Sequence, residues 1–142
     1  MVEIKNIVGK VIWSNSDIDT LKEANTVELN LVGANLGNAD LRDAELDGAI
    51  LEEVNLRDAI LSNANLRDAY LSNAKLVDVN LSYANLQDAD LTNADLTNAD
   101  LSYADLSNAT LYGANLKGAN LHGVKLKNTM FDKDNAPVIL SN

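Results

Sequence analysis

The chain has 142 residues, 46% of them hydrophobic, with 21 acidic and 11 basic side chains for a formal charge of −10. That surplus disfavours direct nucleic-acid binding, because phosphate contacts dominate such affinity and need cations; it also serves solubility and keeps exposed edges apart. No cysteine is present, so disulfide and thiolate chemistry are excluded; with no signal-like segment and no apolar run of membrane-spanning length, the expectation is one soluble, cytoplasmic domain with no membrane partner.

Residues 1–28 come first. Val2 to Trp13 alternates around Gly9 and reads as two short strands, and Ser16 or Asp17 then caps a short helix with Ile18, Leu21 and Ala24 on its buried side. The segment is expected to cover the end of whatever follows, which a stack of repeats requires if it is not to grow into fibres. A separate binding hairpin is the rival reading.

From Leu31 to Phe131 a large apolar residue recurs at every fifth position, 21 times in all, and at 16 of those places alanine stands two residues earlier. The unit is Ala-(Asn/Asp)-Leu-x-x, as in Ala89-Asp90-Leu91-Thr92-Asn93. Five residues of α-helix advance about 500°, which smears the leucines over every face. A flat strand sends them to alternate faces. Only a coil that turns a corner once per unit keeps every leucine inside, with alanine where two walls meet and Asn, Asp, Gly and Ser in the turns. Val54, Val79 and Val124 replace the alanine at the cost of extra methyl groups.

These residues resemble the pentapeptide-repeat family. The resemblance covers Leu29 to about Asp132 and implies an all-β fold: a right-handed quadrilateral parallel β-helix, four units to a turn and about five turns long, occupying residues 29–133. Residues 134–142 form the tail. Phe131 takes the last central position, and Pro137-Val138-Ile139-Leu140 either plugs the coil end or pairs with a second copy, leaving monomer and end-to-end homodimer both open.

Twenty residues per turn assign each outer residue to a side. His122 has Ser102 and Ser82 beneath it and no carboxylate or imidazole, so it reads as an exposed turn residue. Asp90, Asp95, Asp100 and Asp105 fall on four different sides and cannot converge on a cation. No phosphate loop, nucleophile with a base in reach, or paired carboxylates flanking a cleft is found. No catalytic, cofactor or metal site is therefore expected, nor enzyme activity. The candidate interaction surface consists of Ile60, Tyr83 and Tyr103 on one side, the two tyrosines stacking, and Ile50, Tyr70 and Tyr112 on the opposite side beside Glu52 and Glu53. Asp58 under Asp78 and Asp68 under Asp88 form acidic columns, with Arg57, Arg67 and Lys75 near enough to compensate.

A rigid scaffold for protein–protein interaction is the first functional reading. The alternative is mimicry of duplex DNA: the resemblance includes acidic coils that occupy the DNA-binding saddle of DNA gyrase, although Arg42, Arg57, Arg67, Lys117 and Lys127 interrupt the negative field here.

Overall fold

The computed structural model describes residues 3–5, 11–14 and 29–132. Strand β1 (Glu3–Lys5) pairs antiparallel with β2 (Val11–Ser14), Ile4 opposite Trp13, with an irregular register between Ile4 and Lys5. The short helix expected after Ser16 and the tail from Pro137 lie outside the described residues.

Residues 29–132 wind as a coil that advances one turn in twenty residues. Asn30 bridges Ile50, Ile50 bridges Tyr70, Tyr70 bridges Asp90, and the parallel pairing continues through Thr110 to Met130. Columns starting at Asn35, Asp40 and Glu45 do the same. The four columns define a first, second, third and fourth side in chain order. The β-structure expected of the coil is confined to these isolated bridges and does not lengthen into strands. A hydrogen-bonded turn in every unit, such as Ala94 N–H to Leu91 C=O at 3.0 Å, interrupts the extended backbone before a strand can form.

Backbone bookkeeping explains the unit. In residues 90–94, Asp90 N–H donates to Ala69 C=O in the preceding turn, while Leu91 and Asn93 donate to Thr110 and Tyr112 in the following one. Ala94 closes the local turn, which leaves one donor. The Asp90 side chain accepts it, from Thr92 N–H at 2.9 Å. The same side-chain bond recurs from Asn30 Oδ1, which accepts from Val32, to Asn120 Oδ1, which accepts from His122. Asn or Asp before the leucine is thus the acceptor for the one amide that the ladder cannot satisfy.

The second residue after the leucine explains the rest of the pattern. All twenty positive-φ residues among the described ones occupy it, and 17 of them are Gly, Asn or Asp, the types that enter left-handed backbone at least cost. The exceptions are Glu53, Tyr83 and Tyr103, at φ 57°, 60° and 59°.

Inside, the leucines from Leu31 to Leu111 and the alanines between them are buried, and Val54 and Val79 fit at 0% and 1% exposure. Each leucine removed from water contributes about 1.5–3 kcal/mol. Leu116, Ala119, Leu121, Val124, Leu126 and Phe131, in the last turn, are only partly buried.

Candidate interaction surface

The interior repeats unit by unit, so the sides differ only in what they turn outward. The second and fourth sides are charged and internally paired. On the second, Arg57 lies 3.7 Å from Asp58 and 3.8 Å from Asp78; on the fourth, Arg67 lies 3.3 Å from Asp68 and 3.9 Å from Asp88. One arginine therefore spans each acidic column. Lys75, expected to help, takes part in none of these pairs; it stands between Asn55 and Asp95 in the second column. Asp105, also on the fourth side, is drawn two ways: burial pushes its carboxyl up, but hydrogen bonds from Ser107, Lys125 and Gln87 outweigh that and hold it at about 2.

The four aspartates in successive units lie in four separate columns and each caps its own turn: Asp90 accepts from Thr92, Asp95 from Thr97, Asp100 from Ser102, and Asp105 from Ser107. Among the described residues no group of His, Asp or Glu is arranged to hold a metal ion.

The third side is different. From Ile60 to Gly123 it carries a single carboxylate, Asp100, amid Ser62, Asn80, Ser82 and Asn120. Tyr83 and Tyr103 are stacked, with ring centroids 5.0 Å apart and planes 12° from parallel, and remain 60% and 47% exposed. His122 meets Tyr103 edge-on, its Nε2 3.0 Å from the phenol oxygen. The sequence reading missed that partner, because it is nineteen residues away and a search along columns of twenty looks past it. One turn beyond the stack, a Cβ on Gly123 would lie 2.6 Å from the Tyr103 ring, so glycine there is what lets the ring lie down.

Energetics argue that the tyrosines are not kept for stability. Left-handed backbone costs an ordinary residue about 1–2 kcal/mol, and an aromatic pair contributes about 0.5–1.5 kcal/mol. With two tyrosines strained, at about 2–4 kcal/mol together, one stack offsets only part of the cost. Strain that gains no stability points to a site.

On the first side Ile50 bridges Tyr70 directly, whereas Tyr112 shares that side but not their column. Ile50, Tyr70 and, on the third side, Ile60 occupy the acceptor position before leucine, so each gives up the side-chain cap that Asn or Asp would supply.

The chain matches a family model described as pentapeptide repeats, in eight copies, over residues 21–58, 59–98 and 89–128. The chain belongs to the pentapeptide-repeat family. Solved relatives of this pentapeptide-repeat protein include Rfr23 of the cyanobacterium Cyanothece 51142, with 30% identity, 82% of this chain and 97% of that one covered, and a TM-score of 0.66. HetL of Nostoc sp. strain PCC 7120, a protein involved in heterocyst differentiation regulation, is 41% identical over 78% of this chain and 54% of its own, with a TM-score of 0.55. This chain therefore spans about half of HetL. A thylakoid-lumen pentapeptide-repeat protein of Arabidopsis thaliana is 26% identical, with 86% and 79% covered and a TM-score of 0.57. No curated protein sequence matches. Membership implies that the coil is a right-handed β-helix.

Proposed function

We propose that this pentapeptide-repeat protein is a non-enzymatic scaffold that docks another protein on its third side. The observation that carries the reading is the exposed Tyr83–Tyr103 stack, held in left-handed backbone on the part of the third side, Ile60 to Gly123, that carries a single carboxylate. Interface cores are enriched in aromatic residues and depleted of charge. Tyrosine adds a hydroxyl at the rim and loses little entropy when fixed.

In this reading residues 29–133 form about five rigid turns, residues 1–28 close the first, and residues 134–142 serve the last. The leucines of the first turn are 1–2% exposed, like those of the middle, while the last turn stays partly open.

The test is proximity cross-linking in the native host with the wild-type protein and a Tyr83→Asn/Tyr103→Asn variant. Asparagine suits both positions, so the variant is expected to fold and to lose the partners that the wild type captures. Capture of the same partners by both proteins contradicts the proposal.

A further inference from the structure

The first side carries four carboxylates, Glu52, Glu53, Asp90 and Asp132, and among the described residues no cation. Two of the four are occupied: Asp90 caps Thr92 and Asp132 accepts from Gly113 N–H. Glu52 and Glu53 are exposed and have no hydrogen-bond or ion-pair partner among the described residues, in contrast to Asp58, Asp68, Asp78 and Asp88 on the neighbouring sides, each of which has an arginine. Glu53 also sits in left-handed backbone at φ 57°, without even a stacked neighbour to offset the strain. Flanking the pair are Ile50, in the same turn, and Tyr70, 51% exposed in the next.

We propose that this strip is a docking site for a cationic polypeptide segment, Lys or Arg side chains pairing with Glu52 and Glu53 while an apolar side chain lies over Ile50 and Tyr70. Charge complementarity selects the occupant. Two uncompensated carboxylates repel a second copy of the same side, a nucleic acid and an anionic lipid surface, and attract a basic segment. The apolar neighbours supply the area that exposed ion pairs alone do not convert into affinity. The proposal rests on the scaffold reading but uses the side opposite the tyrosine stack, so the protein would hold two partners of different chemistry at a fixed separation.

The test is an amide NMR titration of the full chain with a short synthetic Lys/Leu peptide. Shifts are expected at Ile50, Glu52, Glu53 and Tyr70, and binding should weaken steeply with salt. A Glu52→Gln/Glu53→Asn variant should bind about threefold to tenfold more weakly, as expected for two exposed pairs, and should unfold at an equal or higher midpoint, since asparagine tolerates position 53. A charge-matched Asp68→Asn/Asp88→Asn variant should bind as the wild type does. Equal weakening in both variants would reduce the effect to net charge and overturn the proposal, as would shifts spread over all four sides or no binding. The Tyr83→Asn/Tyr103→Asn variant should retain peptide binding, so failure of the third-side reading and failure of this one give separate signatures.

Discussion

The second and fourth sides obey the unit and the first and third depart from it. On the former pair, the position before leucine holds polar or charged residues, left-handed turns hold Gly, Asn or Asp, and arginines span the acidic columns. On the latter pair, Ile50, Ile60 and Tyr70 forfeit a turn cap, and Glu53, Tyr83 and Tyr103 occupy backbone that disfavours them. All four sides enclose the same leucine column. The departures therefore do not arise from the core. Lys75 and Lys125 on the paired sides lack the cap too, but apolar side chains in that position, and residues other than Gly, Asn and Asp in left-handed backbone, are confined to two opposite sides, which separates a structural wall from a working one.

The largest expected effect tests whether the interior ignores this division. Leu76→Ala, beneath the second side, and Leu81→Ala, beneath the third, should each cost about 2–5 kcal/mol in urea unfolding. A gap between them well beyond about 1 kcal/mol would show that the sides also differ inside. Next in size is the turn cap. Asp90→Ala should lose, and Ile60→Asn should gain, about 0.5–1.5 kcal/mol, because the first strands the Thr92 amide and the second gives the Ser62 amide an acceptor.

Gly123→Asn, whose side chain tolerates the φ of 67° at that position, should displace the Tyr103 ring and weaken third-side binding while changing the unfolding midpoint little, which paired denaturation and binding measurements will separate. The smallest effect is in acid. Asp105 is depressed to about 2 in the fold, so its contribution is present above the ordinary carboxylate range and is lost as pH falls from about 4 toward 2. Asp105→Asn should flatten the stability profile in that window; an unchanged profile would remove Asp105 from the account of the paired sides.

The sequence shows the leucine column and the tyrosine stack because both lie on simple multiples of the unit, five and twenty residues. It also carries the left-handed rule, in the Gly, Asn and Asp that recur two places after leucine, but that signal reads only as turn chemistry until φ is known; then Glu53, Tyr83 and Tyr103 stand out as exceptions. The cap formed by Asn or Asp is legible as composition, not as a bond to the amide two residues on. Contacts that cross columns are hidden from a column search, which is why the sequence does not show His122 against Tyr103, and why proximity along the chain does not tell Arg57 and Arg67, which pair with the acids, from Lys75, which forms no ion pair with them.

The most direct measurement is urea unfolding of a single variant that returns four outward positions to the unit: Ile60→Asn, Tyr70→Asn, Tyr83→Asn and Tyr103→Asn. If these residues are retained for binding, its midpoint will equal or exceed that of the wild type. An unfolding free energy lower by more than about 1 kcal/mol per site, the upper part of what stacking supplies, would mean that the aromatic and aliphatic columns hold the coil together, and the division into structural and working sides would fail.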